Sequence, residues 1–160
     1  MNIMFVKVQK ATFAAGCFWG VEAAFAQLSG VLSTPVGYTG GTTKNPTYEQ
    51  VCTSKTGHAE AVQVTFDPQK IGYQKLLDIF WQCHDPTQAN GQGPDIGTQY
   101  RSAIFYHNET QKQQALKSKQ QWQQKFQRPI TTKIIKATVW YPAEEYYQHY
   151  YKNHAISCRR

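Results

Sequence analysis

A chain of 160 residues with 41% hydrophobic and 14% aromatic content can bury one sizeable core, so one domain over residues 1–160 is expected, with no need of a disulfide or metal staple. No run is apolar enough to read as a membrane span, and the first ten residues lack an export signal's apolar stretch, so a cytoplasmic location is expected. The net charge of +7 is spread along a glutamine-rich stretch (Lys112, Lys117, Lys119, Lys125, Arg128) with no accompanying binding motif, which argues against sequence-directed nucleic-acid recognition.

In chain order, Ala11 to Ala15 reads as a short strand, and Val21 to Leu28 as a helix with Phe18, Val21, Phe25 and Leu28 at helical spacing. Between them stands Gly16-Cys17-Phe18-Trp19-Gly20. Cys17 is thereby placed at a helix N-terminus, where unpaired N–H groups and the helix dipole favour negative charge; the expectation is a thiolate of lowered pKa. Phe18 and Trp19 would wall a small apolar pocket beside the sulfur, and the flanking glycines would let a ligand approach closely. Ser33 to Tyr38 reads as a strand broken by Pro35, followed by a Gly- and Thr-rich loop to Tyr48. Ala59 to Phe66 alternates apolar and polar residues and reads as a strand ended by Asp67-Pro68. Glu60 opens it, and a carboxyl turned inward among aromatics there would stay protonated near neutral pH.

Ile71 to Cys83 has the spacing of an amphipathic helix. His84 to Gln99 reads as an irregular loop of the length that usually carries function, with Asp95 in a turn-rich Gly93-Pro94-Asp95-Ile96-Gly97 stretch. His84 and Asp85 suit helix-end and turn roles. Arg101 to Tyr106 reads as a strand, Glu109 to Phe126 as a polar helix with Leu116, Trp122 and Phe126 inward, Thr131 to Trp140 as a strand, and Ala143 to Tyr151 as a short aromatic helix. Residues 153–160 form a tail carrying Cys158. Tyr48 and Tyr100 stand at loop-to-element junctions as possible phenolic donors. This order predicts an α+β fold: a compact α/β sandwich with helices packed around a central mixed β-sheet.

Cys17, Cys52, Cys83 and Cys158 form no CxxC pair, and Cys52, His58, Cys83 and His84 fit no standard zinc spacing, so neither a metal nor another cofactor is expected. Three readings remain open on the residues alone. One is a thiol-based redox enzyme. Another is a thiol hydrolase with Cys17 activated by His58 or His84, and the third is a basic binding module.

Five segments narrow the choice. Gly16-Cys17-Phe18-Trp19-Gly20, Asn45-Pro46-Thr47-Tyr48, Gly57-His58-Ala59-Glu60, His84-Asp85-Pro86-Thr87 and Gln99-Tyr100-Arg101-Ser102 together resemble the signature segments of the peptide methionine sulfoxide reductase A family, in its order and approximate spacing. The resemblance implies reduction of the S epimer of methionine sulfoxide, free or in proteins. It implies Cys17 as nucleophile, Phe18 and Trp19 around the substrate methyl group, and Glu60 as proton donor to the sulfoxide oxygen. Tyr48 and Tyr100 would hydrogen-bond that oxygen, and Asp95 would support the site. It further implies that Cys158 resolves a Cys17 sulfenic acid, the disulfide then being re-reduced by thioredoxin. Two departures stand out: the chain stops two residues after Cys158, without the glycine-rich tail and second recycling cysteine, and Cys83 replaces a non-thiol residue. Cys83 is read as inert, facing inward. A monomer is the default expectation.

Overall fold

The computed structural model describes residues 7–150, so Cys158 lies outside the described residues. Period-two alternation builds the sheet. Strand β1 (Gln9–Ala15) pairs antiparallel with β4 (Ala59–Phe66) on one side and with β7 (Ser102–Tyr106) on the other. β4 also pairs with β2 (Val31–Ser33) and β3 (Val36–Thr39), β3 pairs with β9 (Tyr141–Pro142), and β8 (Lys133–Lys136) lies parallel to β7. The result is a seven-stranded sheet in the order β8-β7-β1-β4-β3-β9, with β2 off that path; its mixed character is what the sequence predicts.

Ala11, Phe13 and Ala15 of β1 face the larger core, whereas Ala14 turns to the opposite face and joins Ala59, Ala61, Ala103 and Phe105. Helices α1 (Phe18–Ala26), α3 (Tyr73–Gln82) and α4 (Glu109–Gln123) contribute to the larger core. Phe13 stacks there between Phe25, at 5.0 Å between ring centroids, and Phe80, at 5.4 Å. Offset aromatic stacking of this kind adds to the area the rings bury and holds α1 and α3 in fixed register on β1.

Some departures from the sequence reading come from long-range hydrogen bonds. Leu116 is exposed rather than inward; α4 instead buries Gln111, Ala115 and Ser118, because Gln111 donates to the Lys10 carbonyl (2.8 Å) and Ser118 accepts from the Trp81 indole N–H (2.8 Å). The strand expected over Thr131 to Trp140 is confined to β8; beyond it, Ala137 and Trp140 pack on the smaller core cluster. Where an aromatic helix is expected from Ala143, the described residues form a 3₁₀ turn, Glu145–Tyr147, then a turn at Gln148 and His149, with Tyr150 helical. The 3₁₀ turn ends at Gln148, whose amide donates to the Val36 and Ala143 carbonyls and accepts from the Val36 N–H, as a neighbouring strand would. A short helix that periodicity did not signal, α2 (Tyr48–Cys52), is started by a capping box between Thr47 and Gln50. The His84 to Gln99 loop contains a two-rung hairpin, β5 (Gly91–Gln92) and β6 (Asp95–Ile96), and a 3₁₀ turn at Thr98–Tyr100. Among the described residues no helix is long and apolar enough to cross a membrane.

Candidate active site

β1 ends at Ala15, and Gly16, at φ 98°, makes the sharp turn into α1, a conformation that would strain any other residue. Cys17 is the N-cap of α1 and is half-buried. The free N–H groups of the first turn are divided between two acids: Phe18 donates to Glu60 Oε1 (3.4 Å), while the Trp19 and Gly20 N–H groups face the Cys17 sulfur.

Those donors favour a thiolate, yet the balance goes the other way. Burial pushes the Cys17 thiol up to about 12, and negative charge on Glu60 and Asp95 adds to the effect. The expected preformed thiolate is therefore corrected to a protonated thiol: the desolvation penalty exceeds what two N–H groups return. Glu60, only 1% exposed, is pushed up to about 8, chiefly by burial and further by Asp95, against the opposing Phe18 N–H. Its Oε2 has no hydrogen-bond partner among the described residues. At neutral pH Glu60 is thus a neutral carboxylic acid, which also removes its charge from beside the sulfur.

Two phenols complete this pocket. Tyr48, the first residue of α2, is driven up by burial, by its hydrogen bond to Cys52 and by Glu60. Tyr100, closing the 3₁₀ turn, is pushed up to about 12 by burial and then by Glu60, Cys52, Asp95 and Cys17. Both phenols are therefore protonated donors, and Tyr100 feels the same acids that surround the thiol. Asp95 reaches the site from β6, on the hairpin. The structure brings Cys17, Glu60, Tyr48, Tyr100 and Asp95 into one electrostatic cluster.

Phe18 is fully buried beneath the site; Trp19 stands half-buried above it. Two tyrosines that sequence reasoning did not single out enclose them. Tyr147 packs against Phe18 (6.1 Å), Trp19 (5.6 Å) and Tyr48 (4.7 Å), and Tyr150 stacks on Trp19 at 3.9 Å. Glu144, also missed, accepts from the Tyr38 hydroxyl and the Tyr48 N–H, both at 3.1 Å, and so ties α2 to β3. The density of tyrosines over residues 141–151 was the one signal available.

From Cys17 and Trp19 a groove of about 1080 Å³ runs past Cys83 and Asp95 to Lys125 and Arg128. It gives room for the rest of a polypeptide once one side chain has entered the pocket. Asp85, paired with Arg128 (3.5 Å) and capping Thr87, shapes the wall of this groove. Cys83 donates to the Phe80 carbonyl and packs against the core.

Neither histidine suits the base of a hydrolase. His58 is buried, its Nδ1 accepting from the Gly41 N–H (3.0 Å) and its Nε2 bonded to the Thr43 carbonyl (2.7 Å). His84 spans from the Phe80 carbonyl (2.7 Å) to the Ser102 hydroxyl (2.8 Å). Both nitrogens of each ring are engaged, those of His58 with backbone and those of His84 with the Phe80 carbonyl and the Ser102 hydroxyl. Among the described residues, no group of three or more His, Cys, Asp or Glu side chains is placed to hold a metal ion.

Comparison with known proteins agrees with this chemistry. The family model "Peptide methionine sulfoxide reductase" matches residues 9–159. The chain is 58% identical over 147 residues to peptide methionine sulfoxide reductase MsrA of Methanosarcina acetivorans, covering 91% of this chain and 78% of that protein. It superposes on reduced Mxr1 from Saccharomyces cerevisiae with a TM-score of 0.91 at 36% identity, covering 96% of this chain and 89% of the other. The same yeast protein has been solved in complex with Trx2; that chain matches with a TM-score of 0.66 at 28% identity, covering 94% and 89%.

Proposed function

The chain belongs to the peptide methionine sulfoxide reductase family, and from that premise we propose how its own residues reduce the S epimer of methionine sulfoxide to methionine. The observation that carries the proposal is Glu60, a buried, neutral acid with one oxygen unpartnered among the described residues, beside a nucleophilic sulfur. A sulfoxide oxygen leaves poorly until protonated, and an acid of pKa about 8 both holds its proton at neutral pH and gives it up readily.

The substrate methyl group enters against Phe18 and Trp19, the oxygen points to Glu60, Tyr48 and Tyr100, and the remaining chain leaves along the groove. Three fixed directions around a pyramidal sulfur admit one epimer. Glu60 passes its proton to the oxygen, and the positive charge that develops on the substrate sulfur favours the thiolate at Cys17. Cys17 then attacks that sulfur, and its own proton replaces the one Glu60 donated. A Cys17–substrate sulfur–sulfur bond forms as the sulfur–oxygen bond breaks and hydroxide leaves; hydroxide then adds to the Cys17 sulfur, the sulfur–sulfur bond breaks with its electron pair going to methionine, and Cys17 is left as a sulfenic acid, two electrons having passed from its sulfur to the substrate's. The thiolate thus forms only with substrate in place, consistent with a resting thiol held protonated by burial.

Recycling falls to Cys158. Its thiol condenses with the sulfenic acid, releasing water and forming a disulfide that thioredoxin reduces by exchange. Support for that reductant comes from the yeast Mxr1–Trx2 complex. Residues 1–160 act as one reductase domain, and dependence on such a reductant suits the cytoplasm. The test is methionine formation from a methionine-sulfoxide peptide with dithiothreitol: Cys17→Ser should abolish it, and persistence of activity would defeat the proposal. With thioredoxin in place of dithiothreitol, Cys158→Ser should complete about one turnover and stall as the sulfenic acid; sustained cycling would transfer the resolving role to Cys52 or Cys83.

A further inference from the structure

The three groups assigned to the sulfoxide oxygen stand on three different elements: Tyr48 on α2, Glu60 on β4 and Tyr100 on the 3₁₀ turn Thr98–Tyr100. Of these, β4 is the firm one. It is paired with β1 and β3, with Glu60 opposite Tyr38, and the buried His58 ring ties its entry to Gly41 and Thr43. The 3₁₀ turn has no such ladder. It is closed by Tyr100 N–H to the Gly97 carbonyl (3.1 Å) and Arg101 N–H to the Thr98 carbonyl (3.2 Å), too little to fix a phenol unaided.

The residues on either side of Tyr100 supply what the turn lacks. Arg101 spreads its guanidinium over two carbonyls: Nη1 donates to Thr98, inside the turn, and Nη2 to Gly57, both at 2.9 Å. Gly57 leads directly through His58 and Ala59 to Glu60, so this fork joins the turn of Tyr100 to the strand of the proton donor. Gln99, only 4% exposed, accepts from the Ser54 hydroxyl at 2.7 Å. Its side chain folds back over Gly97, where any Cβ would collide with it. Ser54 closes α2, donating its N–H to the Val51 carbonyl (3.0 Å), and adopts φ 61°, left-handed backbone that a serine rarely takes unless held. This second bond joins the same turn to the helix that begins with Tyr48.

We propose that Gln99 and Arg101 are positioning residues for sulfoxide reduction: from either side of Tyr100 they lock its turn to α2 and to β4, and so keep the Tyr100 hydroxyl in register with Tyr48 and Glu60. This rests on the reading that those three groups bind the sulfoxide oxygen. Donors already aimed at that oxygen need no rearrangement as the sulfur–oxygen bond breaks, whereas a loosened turn holds its phenol in place for only part of the time. The methyl pocket stands on α1, at Phe18 and Trp19, so loosening the turn lowers the rate and spares affinity.

Single turnovers of N-acetyl methionine sulfoxide amide by excess full-length protein, without reductant, are followed as methionine by rapid quench over a range of protein concentrations. Arg101→Lys keeps the charge but has one ammonium where the fork needs two fixed donors. Ser54→Gly removes the hydroxyl at an exposed position and suits φ near 60°. Each should lower the saturating rate about three- to tenfold, with the half-saturating concentration within about twofold of wild type. Combined with Tyr100→Phe, each should slow the reaction by less than about twofold more, because the tie acts through that hydroxyl. A wild-type saturating rate in either variant would overturn the proposal, as would the full loss persisting in the Tyr100→Phe background, which would mean general damage. Tyr100→Phe alone separates the two levels: an undiminished rate removes Tyr100 from the oxygen and the proposal with it, whereas a loss beside unaffected Arg101→Lys and Ser54→Gly removes the positioning role alone.

Discussion

Two glutamates are buried at helix α1, Glu22 on the helix itself and Glu60 at its N-terminus from β4, and they are treated in opposite ways. Glu22, 5% exposed, is bonded to Thr34 and to His149. Glu60, 1% exposed, receives one long bond from the Phe18 N–H and has an oxygen with no partner among the described residues. Burial by itself therefore does not mark a catalytic acid; what matters is the bond the protein leaves unmade. An unpaired buried carboxylate is costly as an anion and so keeps its proton.

The widest separation between the two should appear in the first turnover. Glu60→Gln is expected to slow methionine formation by about 10²- to 10³-fold, because the proton is gone while the shape remains. Under identical quench conditions Glu22→Gln should stay within twofold of wild type. Stability should separate them next, and with opposite signs. Glu60 has a folded pKa raised from 4.5 to about 8, so its contribution is fully favourable below pH 4.5 and is lost as pH rises through about 8. At pH 7 that penalty is on the order of 3 kcal/mol, and denaturant unfolding should find Glu60→Gln more stable by about 1–3 kcal/mol. Glu22→Gln should be less stable by about 1–2 kcal/mol, since it disrupts a satisfied buried contact. Loss of stability in both variants would erase the contrast. The smallest effect concerns the phenols that face Glu60: Tyr48→Phe and Tyr100→Phe should each lower kcat/KM by about tenfold with little change in fold, and a larger loss from either than from Glu60→Gln would make the phenol the proton donor.

Much of the frame of this site is legible in the sequence, because it is set locally. The alternation of Ala61, Val62, Val64 and Phe66, closed by Asp67-Pro68, marks β4 to the residue, and the glycine before Cys17 marks the turn into α1. What escapes is whatever depends on distant chain. The dipole argument for a Cys17 thiolate is sound within one helix turn, but burial and the field of Glu60, forty-three positions away in sequence, outweigh it. Leu116 points outward because Gln111 and Ser118 are claimed by Lys10 and Trp81, partners that a mostly polar helix does not announce. Tyr147 and Glu144 look like members of an aromatic helix until Gln148 is seen bonded to β3; only then do they become the roof of the pocket.

The central claim is that a neutral Glu60 delivers the proton that lets Cys17 attack. Its most direct test is the pH dependence of the first turnover, measured between pH 6 and 10 in the wild type and in Glu60→Gln. The wild-type rate should fall through an apparent pKa near 8 as the acid is lost, and the much slower variant should show no such fall. The same falling limb in Glu60→Gln would assign the titration to another group and contradict the account.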